Sequence, residues 1–263
     1  MQPLFDWLRR EPGLVLDGGA GGIAGFNHPG REPGWFQEFS YDPRVRDQVV
    51  SLEMFNRTDD YLFEGYADGR TSPLVACLDA GWRCGITGVT DEHGTDWGFP
   101  EGKGRTGLWV TEHSRRGVKE AMLARRFFAT RTSGLRLDAS AAPGRRFSQQ
   151  PPVRMGERLP ITAGDVTIRL DLARDESWVG RELTAQVLTS GTDVPTVLDV
   201  VPFRVGKVAT LTVNVDAADG DWFLVRVADP EQPNATPGPD GHPGNDLGIA
   251  YTSPWWLGPT AAR

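Results

Sequence analysis

The stretch "DQVVSLEMFN", residues 47–56, holds Val49, Val50, Leu52, Met54 and Phe55 in an almost unbroken apolar run. Strict alternation would mark a strand with one wet face. A run this continuous marks a strand covered on both faces, as in a parallel sheet flanked by helices. The neighbouring sequence agrees. "SPLVACLDAG" (72–81) predicts a short helix, with Ser72 as N-cap, Pro73 in the first turn and Gly81 past the end. "GGIAGFNHPG" (21–30), "CGITGVTD" (84–91) and "RTGLWVTE" (105–112) read as further strands. Residues 3–10 suit a short helix, with Leu4, Trp7 and Leu8 at helical spacing. "SRRGVKEAMLARR" (114–126) predicts another, capped by Ser114 and carrying Val118, Ala121 and Met122. Strands alternating with helices predict an α/β unit with a parallel sheet.

Past about residue 135 the pattern changes. "LRLDAS", "DVTIRLDLA", "RELTAQVLTS", "KVATLTVNV" and "DWFLVRVAD" read with period two and are separated by Gly, Pro, Asp and Asn. That predicts an antiparallel β-sandwich with one face solvated. "IAYTSPWW" (249–256) reads as a last strand, and "PEQPNATPGPDGHPGND" (230–246) as a long loop. The expected fold class is α/β followed by all-β, with units at 1–138 and 139–263.

Composition narrows the function. A formal charge of −7 over 263 residues disfavours nucleic acid as a partner. No window approaches the roughly 18 apolar residues of a membrane-spanning helix. The first residues, "MQPLFDWLRREPG", mix acid and base and contain no leader core, so the expected compartment is the cytoplasm. A start further upstream would allow an extracytoplasmic one. Cys77 and Cys84 are too far apart for a CxxC pair and read as small buried side chains.

Chemistry concentrates where strands end. Asp91 and His93 lie one residue apart at the end of the 84–91 strand, where strand alternation would point both the same way. His28, in "NHP" at the end of another strand, adds a second imidazole. Ligands gather at the carboxyl ends of parallel strands. Two imidazoles and a carboxylate match the ligand count of an open catalytic metal site. Surface turn residues, or a mutually satisfied histidine–carboxylate pair, would show the same spacing.

Taken in order, "FNHPG", "VVSLEMFN", "LDAGWRCGITGVTDEHG", "RTGLWVTEHSRRGVKEAMLARRFFAT" resemble the C-terminal part of PHP-domain proteins. The resemblance is greatest to the metallohydrolase branch that includes CehA and McbA. It spans roughly residues 3 to 135 and continues faintly through "RMGE" (154–157) and "YTSPWW" into a β-rich tail. It implies the C-terminal portion of a distorted (β/α)7 barrel, followed by the sandwich. It also implies metal-dependent hydrolysis of a phosphoester, or of a related ester or carbamate, with Zn, Mn or Fe as the divalent ion. By motif His28, Asp91 and His93 would be metal ligands. Glu53 and Asn56 would be supporting groups at the barrel floor, with Glu92 beside the ligands. Arg105, from "RTG", would orient a carboxylate or an anionic substrate, or form a structural ion pair.

The resemblance lacks its beginning. The H-x-H motif of the first barrel strand, and the next histidine and glutamate ligands, have no counterpart here. His113 and His242 lack the required context and read as surface residues. The expectation is therefore a hydrolase that starts mid-barrel, as a fragment or a natural short form, or with a second chain completing the barrel. The alternative is a non-catalytic module binding carbohydrate or a protein through Trp178, Trp222, Trp255 and Trp256, residues that otherwise read as core anchors.

Overall fold

The computed structural model describes residues 1–13, 17–29, 34, 36–56, 61–62, 71–95, 104–146, 151–233 and 247–259. It is a mixed α/β protein dominated by strands, 41% of residues against 15% helical, with a sheet curled into a half-barrel.

The first sheet is built around β2 (Val49–Asn56), all eight residues of which are buried. Parallel partners β1 (Ala24–Phe26) and β4 (Gly85–Val89) flank it, and the short β3 (Tyr61–Leu62) pairs antiparallel with its end. The parallel trio expected from the continuous apolar run is present. Helix α1 (Gln2–Arg9) precedes β1, and a single left-handed turn, α2 (Phe36–Phe39), lies between β1 and β2. Helix α3 (Pro73–Asp79) leads to β4, and the Ser72 hydroxyl caps it by accepting from Leu74 N at 3.1 Å and Val75 N at 3.4 Å. The apolar face expected on α1 is only partly buried: Phe5 and Leu8 turn inward, whereas Leu4 and Trp7 stay exposed.

Aromatic rings fix this sheet from below. Trp82 is fully buried and packs against Phe5, Phe26 and Tyr41 at centroid distances of 5.6, 5.4 and 5.1 Å. Its indole N–H donates to Phe39 O at 2.8 Å, so the polar edge of the ring is satisfied inside the core. At the amino ends of the strands the buried Arg125 guanidinium donates to Arg83 O at 2.7 Å, Arg46 O at 3.2 Å and Asp47 O at 3.3 Å. One side chain thus collects the backbone carbonyls that precede β2 and β4. Cys77 and Cys84 are free thiols buried in the same core, as their reading as small buried side chains requires, and burial pushes the Cys77 thiol well up.

A second, eight-stranded sheet begins with β5 (Arg105–Leu108) and β6 (Phe127–Thr130), joined by α4 (Arg115–Leu123). Ser114 caps α4 by accepting from Gly117 N at 3.0 Å. The expected helix stops earlier than its sequence pattern, since Arg125 adopts φ +53° and turns the chain into β6. The sheet continues through β15 (Gly248–Thr252), β14 (Trp222–Ala228), β11 (Glu182–Thr189) and β12 (Thr196–Arg204). The short β16 (Trp255–Leu257) and β9 (Arg158–Leu159) join it at β14. It therefore draws strands from both sides of residue 138. The third sheet is antiparallel, in the order β13 (Ala209–Asp216), β10 (Ala163–Ala173), β7 (Arg136–Pro143), β8 (Val153–Arg154).

The middle of the second sheet is covered on both faces. Phe223, Val225 and Val227 of β14 enter the core shared with the third sheet, whereas Trp222 and Leu224 enter the core of the first. The solvated face expected along "DWFLVRVAD" is thus absent, because the first sheet and its helices pack there. Period-two burial does hold in β13, whose residues alternate buried and exposed throughout. Among the described residues no helix is long and apolar enough to cross a membrane.

Candidate functional site

His28 follows β1, Asn56 closes β2 and Asp91 lies two residues past β4, so the three groups stand at the carboxyl end of the parallel trio. The cluster is continuous. His28 Nδ1 lies 3.1 Å from Glu53 Oε1, which also accepts from the His28 backbone N–H at 3.3 Å. Asn56 Nδ2 donates to Glu53 Oε1 at 2.8 Å and lies 2.8 Å from His28 Nδ1. On the other edge of the ring, His28 Nε2 is 3.9 Å from Asp91 Oδ1, and that oxygen is 3.2 Å from His93 Nε2. Side-chain exposure is 0% at Glu53, 22% at His28, 18% at Asp91 and 81% at His93. The cluster is a shaft with a buried acidic floor and an open histidine rim.

Local backbone irregularity makes this convergence possible. Residues three apart on a regular strand face opposite ways. The register of β2 against β4 runs from Glu53 opposite Thr87 directly to Phe55 opposite Gly88, so Met54 is an extra residue. That bulge turns Glu53 and Asn56 to one side while Leu52, Met54 and Phe55 enter the core. His28 and Asp91 sit at φ +53° and +48°, in the left-handed region that costs a non-glycine residue about 1 kcal/mol or more. Strain of this kind clusters at functional sites. The expected strand geometry for Asp91 and His93 is not what joins them: β4 ends at Val89, and the two meet across the turn that follows.

Burial pushes the Glu53 carboxyl up, and the Asn56 amide and the His28 imidazole pull it back. Glu92 is half-buried, with its carboxylate accepting from Gly94 N at 2.6 Å. Arg105 is the first residue of β5, half-buried and in register with Thr130. A Cβ on Gly104 would come within 2.4 Å of Val89 O and 2.7 Å of Phe55 O, so the chain entering β5 crosses directly over the ends of β2 and β4. Only glycine permits that approach, and it delivers Arg105 to the same end of the sheet as Asp91. His113 is exposed, as expected of a surface residue, and His242 lies outside the described residues.

Two ligands of one tetrahedral ion with Zn–N bonds near 2.0–2.1 Å stand roughly 3.3 Å apart. The His93–Asp91 hydrogen bond of 3.2 Å spans about that spacing, and the His28–Asp91 separation of 3.9 Å is longer. As placed, the three do not close into a preformed cage: among the described residues no group of three His, Cys, Asp or Glu side chains is arranged to hold an ion. The donor chemistry nonetheless fits. A ligating histidine usually turns its second nitrogen to a carboxylate that fixes the ring, and Glu53 occupies that position against His28 Nδ1. Compared with models of known families and with curated proteins, the chain matches none.

Proposed function

We propose that this chain is a metal-dependent hydrolase of the PHP type, acting on a phosphoester or a related ester or carbamate. Residues 1–138 would be the C-terminal portion of the (β/α)7 barrel, and 139–263 the β-sandwich. The observation that carries the reading is the placement of His28. Glu53 holds one edge of its ring while the other edge faces Asp91, which itself contacts His93, all at the carboxyl end of a parallel sheet. His28, Asp91 and His93 would hold a Zn, Mn or Fe ion. Such an ion, when bound, supplies Lewis-acid polarisation and a water acidified toward neutral pH.

The chain's own groups supply the rest. Glu53 holds His28 through Nδ1, which leaves Nε2 to a ligand. Arg105 offers fixed positive charge at the same end of the sheet and would bind an anionic substrate group. β1 is paired with β2 along one side, and a second chain completing the barrel would add its strands at the other. The tryptophan platform of a carbohydrate-binding module has no support, since Trp178, Trp222, Trp255 and Trp256 are 2%, 0%, 0% and 4% exposed.

The test is turnover of aryl phosphodiester, aryl acetate and aryl carbamate substrates by the full chain, chelated and then reloaded with Zn2+ or Mn2+. Metal-dependent hydrolysis of one class, lost in Asp91→Ala, is expected. Hydrolysis equal in the chelated and reloaded protein, or unchanged in Asp91→Ala, would overturn the reading.

A further inference from the structure

The outer face of the third sheet carries a groove remote from the histidine cluster. Leu137, Ala139 and Ala141 of β7 and Ile168, Leu170 and Leu172 of β10 enter the sandwich core, so the residues between them point outward. In register across that face, Arg136 stands opposite Ala173, Asp138 opposite Asp171, and Ser140 opposite Arg169. Each arginine thus faces a small residue, and a hollow of about 150 Å3 opens on either side of the aspartate pair. Trp109, half-buried and held by its indole N–H on Leu137 O at 2.9 Å, walls the first hollow. Val208, 48% exposed, walls the second. Asp138 and Asp171 line both hollows, so the two form one trough, roughly 13 Å from the Arg136 row to the Ser140 row.

Like charges directly opposite on neighbouring strands destabilise a sheet. Asp138 and Asp171 are so placed, and among the described residues neither side chain has an ion pair or hydrogen bond that offsets the repulsion. We infer that the trough binds a neutral saccharide chain. Hydroxyl groups both donate and accept, so a sugar can give protons to the two aspartates and accept from Arg136 and Arg169 in the same trough. The indole of Trp109 and the methyl groups of Val208 offer apolar walls at its two ends for the C–H faces of sugar rings. Other ligand classes fit fewer of these groups. A phosphate would meet the paired carboxylates, a bare metal ion would meet the arginines, and an apolar molecule would cover charges without satisfying them. The groove is separate from the proposed metal site: β5 begins at Arg105, on the metal side, and Trp109 follows its other end at Leu108. It would tether the protein to a glycan and takes no part in the hydrolysis.

The experiment runs the full chain through native gels containing mixed-linkage β-glucan, arabinoxylan, galactomannan or dextran, with a polysaccharide-free gel as reference. Wild type, Asp171→Ala and Trp109→Ala are compared, with thermal melting as the check on folding. Asp171 is exposed, so its variant keeps the fold. Wild type should be retarded in at least one gel, with or without a chelator, and Asp91→Ala equally. Both groove variants should bind that polysaccharide about tenfold more weakly, or not at all. If Trp109→Ala does not fold, Asp171→Ala decides alone. No retardation of wild type in any gel, or equal retardation of wild type and Asp171→Ala, would overturn the glycan groove. Retardation abolished by the chelator or by Asp91→Ala would move the sugar to the metal end of the first sheet and overturn it as well. Calorimetric binding of spermidine with no retardation in any gel would assign the aspartate pair to a cationic ligand, which also overturns it.

Discussion

His28 and Glu53 are joined twice, through the backbone N–H and through Nδ1, both directed at the same carboxylate oxygen at 3.3 and 3.1 Å. The double contact fixes both the position of the His28 backbone and the orientation of its ring. Removing the carboxylate with Glu53→Ala should therefore weaken metal binding at the rim by about 10- to 100-fold, the usual cost of losing a group that orients a ligand. Competition for Zn2+ with a chromogenic chelator measures this. Affinity equal to wild type would mean that the ring needs no such support.

The approach at Gly104 gives a prediction for the substrate side. Gly104→Ala would drive a methyl group into Val89 O and Phe55 O. The chain must then lift away from β2 and β4, carrying Arg105 with it. Hydrolysis of an anionic substrate should fall through a higher KM, with a lower melting temperature in the same variant. A melting temperature and KM equal to wild type would mean that β5 enters by another path.

Stability of the first sheet should depend on its aromatic support. Phe26 is 2% exposed and touches Phe36, Phe39 and Trp82 at 5.0–5.4 Å. Phe26→Ala is expected to cost about 3–5 kcal/mol in urea unfolding. Ser72→Ala, which removes only the cap of α3, is expected to cost about 1 kcal/mol. The reverse order would contradict the packing described.

Asp42 supplies a pH dependence. The Arg44 guanidinium holds the Asp42 carboxyl at about 2, against its ordinary 3.8. A depressed folded value means that the pair contributes fully above about pH 4, where the unfolded carboxyl is also ionised, and loses its contribution as pH falls toward 2. The stability difference between wild type and Asp42→Asn should thus be flat above pH 4 and vanish near pH 2. A difference that persists at pH 2 would assign the effect to shape rather than charge.

Much of the first half was legible because its signals are local. Ser72, Pro73 and Gly81 bracket α3, and the unbroken apolar run of β2 marks a strand buried on both faces. Among strands longer than two residues, two were not. β6 follows α4 with only Ala124, Arg125 and Arg126 between them, and the break depends on Arg125 at positive φ, which no glycine announces. β12 carries Pro202 and mixed exposure at the edge of its sheet, so it shows no clean period. The burial of both faces of β14 depends on what packs across it from far along the chain. In the site, His28 and Asp91 could be read from strand ends. The shared direction of Glu53 and Asn56 could not, because a period of two places them apart until Met54 bulges out of register.

The central claim, that His28, Asp91 and His93 hold an ion, is tested most directly by counting metal. The full chain and Asp91→Ala would be chelated, reloaded with Zn2+, desalted and analysed by mass spectrometry under native conditions. Wild type should retain at least one Zn2+ per chain, and the folded variant about one fewer. Equal metal content in the two proteins would contradict the site.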